Sequence, residues 1–350
     1  MGEARLLGST VCRFEHFLSP WYHQWAAKLG FPLVTPESEE TGLTVARKHW
    51  EWCAIAQALH ERGMLEVGRS ACGFAVGQEP LPSLFAAAGV QVLATDQPPQ
   101  GEAEGWIATG QHASSLENVY FPDLIDRATF DSRVRFRPVD MRDLKLPWNE
   151  TFDFIWSSCS IEHLGSLEAG WQFVLQSMDL LKPGGCAVHT TEFNVASNDD
   201  TLTGGSSVIY RRKDIEYLER RLRRDACGLA RCDYYAWDSP HDLNFDHEPY
   251  FKNGRPHIKL LYQGHITTSF LLIIQKGNKE SSVVASHAPA QYEDAYEADR
   301  RIADLEARLA IEKETAASLA SQLTAIRDST SWRVTAPLRH LRRRLLPRQR

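Results

Sequence analysis

SACGFAVGQEPLPSLFAAAGVQVLATD, residues 70–96, decides the fold of this chain. Ala71 and Cys72 form a short apolar run that enters a small-residue turn, Gly73-Phe-Ala-Val-Gly77. Leu81, Leu84, Phe85 and Ala88 follow with helical character, Gly89 breaks them, and Val90-Gln-Val-Leu-Ala94 leads to Asp96. The order is strand, tight turn, helix, strand, acid. Glycine lets the backbone approach a ligand, a helix N-terminus offers free amides, and an acid beyond the second strand suits ribose hydroxyls. A glycine turn alone is weak, but the acid 19 positions after Gly77 makes this a nucleotide-type unit. Leu65-Glu-Val-Gly68 imitates the start of such a turn, yet Gly68 precedes Asp96 by 28 positions, too far for one short helix and one short strand. The turn is therefore placed at Gly73–Gly77, with Glu66–Gly68 as its lead-in.

The pattern continues through Val134-Arg-Phe-Arg-Pro-Val-Asp140, a half-alternating strand closed by an acid. Phe152-Asp-Phe-Ile-Trp156 is an apolar strand that runs into Ser157-Ser-Cys-Ser-Ile-Glu-His163. A helix is predicted from about Leu167 to Leu181, stopped by Lys182-Pro-Gly-Gly185, with a strand at Cys186–Thr191. The Gly73–Gly77 turn, Asp96, Val139-Asp140-Met141, Phe152-Asp153 and Leu181–Gly185 together resemble the ordered motifs of class I S-adenosylmethionine-dependent methyltransferases. The resemblance spans residues 64–276, and its most specific match is LKPGG before the fifth strand. It implies an α/β fold: a Rossmann-like, doubly wound, seven-stranded sheet that binds S-adenosyl-L-methionine. A P-loop protein would need Gly-Lys-Ser/Thr at the turn, where Gly77-Gln-Glu79 stands. A nicotinamide dehydrogenase would not be expected to show LKPGG or an acid after the third strand.

The resemblance also implies roles. Backbone at Gly73, Phe74, Ala75 and Gly77 would line the methionine end of the donor, and Asp96 would take the ribose hydroxyls. Asp140 would accept from the adenine amino group with Met141 beside the ring, and Ser157 and Ser158 sit where strand four meets the donor. The acid often found two residues before the first glycine is here Ala71, which makes Glu79 the candidate partner for the methionine amino group.

Composition narrows the class. The 350 residues, 43% hydrophobic, can hold one buried domain of about 230 residues with appendages. Seven arginines and no acid fall in residues 329–350, which leaves the first 328 residues at −13 out of an overall −6. An acidic body argues against a general nucleic-acid binder. Seven scattered cysteines without a Cys-x-x-Cys pair fit a reducing cytosol and offer no zinc spacing. With no long apolar run and no secretory leader, the expectation is a cytoplasmic chain that does not cross a membrane.

Around the core, residues 1–62 read as a helical, aromatic-rich N-terminal cap with Phe14, Phe17, Trp21, Tyr22, Trp25, Trp50 and Trp52. The methyltransferase core is residues 63–277. Within it, residues 101–131 should hold the helix between strands two and three, a helix is expected at Ile215–Leu222, and strands near Leu229–Tyr235 and Thr268–Ile274. Residues 237–251, dense in His, Asp, Glu and aromatics, form a loop suited to a substrate wall. Residues 278–297 read as a linker and 298–327 as a coiled coil, with Ile302, Leu305, Leu309, Ala316, Leu319, Leu323 and Ile326 at a/d spacing. This predicts a homo-oligomer, against a single helix packed on the core. Residues 328–350 form a basic amphipathic tail with Leu338, Leu341 and Leu345 on one face. Its phrase Ser331-Trp-Arg-Val-Thr-Ala-Pro-Leu-Arg339 resembles a tail of bacterial glycosyltransferases and methyltransferases of surface-polysaccharide assembly. That resemblance implies a sugar acceptor, nucleotide- or lipid-linked or in a growing glycan, and peripheral contact with an anionic membrane or with assembly enzymes.

A sugar hydroxyl needs a base or a metal to take its proton. Three residues follow strands at the ligand edge: His163, Glu192 and His241. An imidazole suits a base, which makes His163 the first candidate, though it can instead cap the next helix. Glu192 can serve as base, metal ligand or sugar-hydroxyl acceptor. His241, Asp242, Asp246 and His247 could hold a divalent ion, but their loop placement predicts solvent exposure, and no metal site is assigned. Against O-methylation of a sugar stand methylation of another small molecule or lipid, and a non-catalytic membrane-associated scaffold that keeps the fold.

Overall fold

The computed structural model describes residues 6–34, 45–99, 104–144, 151–237, 239–252 and 254–277, and residues 313, 317, 320, 321, 324 and 325. The chain divides into two units, residues 1–286 and 287–350. In the second, the six described residues are helical and exposed. The linker, the a/d positions of the expected coiled coil and the basic tail lie outside the described residues.

Among its described residues the first unit contains eleven strands: β1 (Ser9–Val11), β2 (Ser70–Phe74), β3 (Gln91–Asp96), β4 (Val134–Pro138), β5 (Phe152–Ser158), β6 (Leu181–Asn194), β7 (Cys227–Leu229), β8 (Cys232–Asp233), β9 (Phe245–Asp246), β10 (Lys259–Tyr262) and β11 (His265–Lys276). Its helices are α1 (Phe14–Phe17), α2 (Pro20–Leu29), α3 (Arg47–Glu61), α4 (Leu81–Ala87), α5 (Glu104–Ala108), α6 (Arg127–Arg133), α7 (Leu167–Ser177) and α8 (Arg212–Arg224).

All strands join one sheet, ordered β4-β3-β2-β5-β6-β11-β1-β8, with β7, β9 and β10 off this path. β4, β3, β2, β5 and β6 are parallel, and β11 returns antiparallel to β6. β2, β3 and β5 are almost wholly buried, as expected of apolar runs covered on both faces. Adjacent residues of β6 prove the double covering: Glu51 of α3 touches Thr190, while Phe173 of α7 packs edge-on against His189. Successive strand residues point to opposite faces, so α3 and α7 lie on opposite sides. Phe85 of α4 packs on Trp156, two residues before Ser158, which Glu51 also contacts; α4 therefore shares the face of α3.

Several expectations change. Among the described residues the sheet has eleven strands rather than seven, because the N-terminal segment and the 237–262 region add β1, β9 and β10 and the strand expected near Leu229–Tyr235 is divided into β7 and β8. The N-terminal segment is not helical throughout: Ser9-Thr-Val11 pairs antiparallel with β11 and parallel with β8. Phe74 closes β2, so the turn proper starts at Ala75. Helix α7 ends at Ser177, and a 3-10 turn over Met178–Leu180 precedes β6. Lys182-Pro-Gly-Gly185 lies within the span of β6, where the register against β5 shifts between Phe152 and Phe154. The strand expected near Leu229–Tyr235 is two short strands interrupted at Ala230 and Arg231. No described helix is long and apolar enough to cross a membrane.

Candidate functional site

The strand order reverses between β2 and β5, and in open α/β sheets the ligand crevice lies past the C-terminal strand ends at such a point. Immediately past β2, Ala75 and Gly77 adopt left-handed backbone, with φ of 46° and 53°. Glycine takes that conformation without strain, while Ala75 must be held there. Val76 N donates to the Thr95 carbonyl at 3.0 Å, and the Thr95 hydroxyl to the Gly73 carbonyl at 2.7 Å. A Cβ on Gly73 would run into the Trp156 ring, and one on Gly77 into the Gln111 carbonyl. Both glycines are therefore required by close approach.

Asp96 ends β3 beside this turn and is buried. Its Oδ2 accepts from Gly77 N at 3.1 Å and Ala113 N at 2.8 Å, and its Oδ1 from Gln97 N at 2.7 Å. Burial raises its carboxyl above the usual range, and the three amides oppose that rise. Oδ1, with one amide, keeps acceptor capacity for a further hydroxyl. Asp140 is bound by Arg142, whose guanidinium holds its carboxyl below the usual range, and Met141 is buried next to it.

Glu79 is enclosed between two indoles: Oε1 accepts from Trp156 Nε1 at 2.6 Å and Oε2 from Trp52 Nε1 at 3.1 Å. Burial pushes its carboxyl up to about 8 despite these bonds. Trp52 comes from α3, so the N-terminal cap closes one wall of the crevice. Ser157 is fully buried, its hydroxyl 2.8 Å from His189 Nδ1, and burial lowers that imidazole to about 3. Ser158 faces α3 instead and donates to Glu51 Oε2 at 3.0 Å.

Two ion pairs fix α3 over the ends of β5, β6 and β11. Arg47 holds Glu192 bidentately at 2.6 Å on both arms. Lys48 pairs with Glu51 at 2.6 Å, and Glu51 also receives the Ser269 hydroxyl at 2.5 Å. Burial alone would raise the Glu51 carboxyl, but Lys48 and Arg47 outweigh it and hold it at about 2.

The three proton-acceptor candidates stand in different places. Glu192 is in the Arg47 pair. His163 has Nδ1 at 2.9 Å from the Ser206 carbonyl and its ring edge-on to Trp106, which reaches over from α5. His241 stacks on Phe14 at 4.2 Å. Asp242 and Asp246, expected in solvent, are fully buried. Asp242 pairs with Lys259 and caps Phe14 N, and Asp246 accepts from the amides of His247 and Phe251 and contacts His257. The loop they belong to is thus an inner wall, because its charges have partners from α1 and β10. Among the described residues no group of three or more His, Cys, Asp or Glu is placed to hold a metal.

Sequence reasoning missed Arg47, Lys48, Glu51 and His257 as site residues, and expected Asp246 in solvent. Arg47-Lys-His-Trp-Glu-Trp-Cys53 drew notice for its aromatics alone, and a charge pattern does not announce a partner far along the chain.

No protein-family model and no curated protein matches the chain. Among solved structures, a putative sarcosine dimethylglycine methyltransferase from Galdieria sulphuraria aligns at 12% identity and a TM-score of 0.42, over 75% of this chain and 99% of that one. The SAM-bound magnesium protoporphyrin IX methyltransferase from Synechocystis aligns at 13% identity and a TM-score of 0.38, over 75% and 94%. The [4+2]-cyclase SpnF aligns at 15% identity and a TM-score of 0.40, over 67% and 84%. At this distance, function has to be argued from the site.

Proposed function

We propose that the chain is an S-adenosyl-L-methionine-dependent methyltransferase. One observation carries this reading: the left-handed Ala75–Gly77 turn is packed on the Asp96 carboxylate at the switch point of the sheet. The turn would cradle the methionine end, Asp96 the ribose, and Asp140 with Met141 the adenine. Glu79 would meet the methionine ammonium, taking the part of the acid absent at Ala71. Methyl transfer from a sulfonium is an in-line displacement, so the site's main task is alignment of donor and acceptor.

The acceptor is proposed to be a sugar hydroxyl in bacterial surface-polysaccharide synthesis, nucleotide- or lipid-linked. Support for that step is the Trp332-Arg-Val-Thr-Ala-Pro-Leu-Arg339 phrase and the basic tail around it. The same tail supports a cytoplasmic enzyme resting on the inner membrane face or on assembly enzymes, and the heptads at 298–327 a homo-oligomer. Calorimetric titration of the full chain with the donor tests the first step, since a scaffold with a dead pocket gives no binding heat. A one-methyl mass shift on an offered glycan tests the second.

Donor binding should depend on pH through Glu79. A carboxyl raised to about 8 is protonated at neutrality and must ionise to meet a cationic ammonium. Affinity should therefore climb with pH, by up to about tenfold per unit, and level off above the raised pKa. Stability runs the other way: the folded chain holds a proton that the unfolded chain loses from pH ~4.3, so this group's contribution declines as pH rises towards 8. Glu79→Gln should flatten both slopes. Parallel affinity slopes in parent and variant would remove Glu79 from the donor site.

A further inference from the structure

The acceptor's proton needs a destination, and the geometry points to His257. This inference rests on the methyltransferase reading above. We propose that His257, oriented by Asp246, takes the hydroxyl proton as the methyl group transfers. Its Nδ1 lies 2.7 Å from Asp246 Oδ2. A carboxylate only accepts, so Nδ1 carries the proton, and Nε2 is left as the acceptor. Asp246 is fully buried and also accepts from the His247 amide at 2.9 Å and the Phe251 amide at 3.0 Å. The ring is clamped by Phe251, stacked at 3.9 Å, and by Tyr250, edge-on at 5.6 Å. Nε2 has no partner among the described residues and is not sealed from solvent. An imidazole fixed at one nitrogen by a buried carboxylate and open at the other is the arrangement a general base requires.

Its position is tied to the crevice by short links. His257 N donates to the Val45 carbonyl at 2.7 Å, and Arg47 N donates to the His257 carbonyl at 2.8 Å. The Arg47 side chain then grips Glu192 at the end of β6, and Lys48 and Glu51 reach Ser158 at the end of β5. The charged groups that face the imidazole are therefore Asp246, Arg47 and Glu192, with the Tyr250 phenol beside them. Burial outweighs the pull of Asp246 and lowers the imidazole below its ordinary range, which keeps it unprotonated at neutrality. His163, by contrast, has a backbone carbonyl at Nδ1.

In the step itself the acceptor oxygen forms a bond to the methyl carbon while the carbon–sulfur bond breaks. That bond's electron pair stays on sulfur, giving the neutral thioether. The hydroxyl proton passes to Nε2, and the imidazolium, paired with Asp246, later yields it to water.

The test uses the full chain. Nitrogen-15 imidazole spectra should show His257 as the neutral Nδ1–H tautomer at pH 7; the Nε2–H tautomer would overturn the proposal. With tritiated donor and a panel of UDP-hexoses and methyl glycosides, His257→Gln should lose about 100- to 10,000-fold in turnover. Donor affinity by calorimetry should stay near the parent's, which separates this loss from misfolding. Asp246→Asn should lower turnover less and move the midpoint of the pH profile's acid limb down, because the carboxylate that favours the imidazolium is gone; an unmoved midpoint would overturn the orienting role of Asp246. Turnover retained in His257→Gln, with donor bound, would overturn the proposal. A parent chain that fails to bind the donor would instead overturn the methyltransferase reading.

Discussion

Asp96→Ala is expected to abolish measurable donor binding and to weaken the fold in the same stroke. The carboxylate accepts from three backbone amides, those of Gly77, Gln97 and Ala113. Each amide left without an acceptor in a buried setting costs about 1–3 kcal/mol. Against a total stability of about 5–15 kcal/mol, losses at two or three amides are severe. The turn, the start of the next segment and the 111–113 stretch all lose their common anchor. Asp96→Asn keeps one carbonyl oxygen but turns an amino group toward an amide donor, so an intermediate loss is expected. Urea unfolding and donor titration of both variants check this. An alanine variant with the parent's midpoint and affinity would show that the clamp carries neither role.

The second large effect is expected at Lys259, behind the inner wall formed by residues 239–246. Lys259 and Asp242 are both fully buried and lie 2.6 Å apart. Asp242 also accepts from Phe14 N at 3.1 Å, which ties the start of α1 to the 239–246 loop. Lys259→Met removes the cation and leaves a buried carboxylate uncompensated, a loss of about 3–5 kcal/mol. Lys259→Met combined with Asp242→Leu should recover part of this. Recovery stays incomplete because Phe14 N then lacks its acceptor. Thermal unfolding reads both variants, and a single variant as stable as the parent would contradict the pairing.

The parallel half of the sheet was readable because its strands are continuous apolar runs, and burial on both faces demands that pattern. Ala71-Cys72, Val92-Leu-Ala94 and Phe154-Ile-Trp156 carry it plainly. The Gly73–Gly77 turn was readable because left-handed backbone and close approach call for glycine. Ser9-Thr-Val11 was missed: three residues carry no periodicity, and the strand forms only because β11 offers an edge far along the chain. The same physics hid the contacts of Glu51 and His257. Glu51 reads as a polar residue three places from Lys48, yet it is buried beneath hydroxyls from β5, β6 and β11. His257 has no motif around it, and only the fold sets Asp246 against its ring.

β1 has a consequence for how the molecule is made. The Ser9 hydroxyl accepts from Ile273 N at 3.0 Å, across 264 positions of chain. A ribosome adding about 5–20 residues per second needs roughly 13–50 s to produce that partner after Ser9. Through that interval the β11 edge that Ser9–Val11 joins does not exist, and its other neighbour, the two-residue β8, is made only late in it. Completion of the sheet is thus a post-synthetic event for its β11 side, while β2 and β3 can already pair during translation. Nascent chains halted before residue 269 should expose Ser9–Val11 to protease, and chains released past residue 277 should protect it.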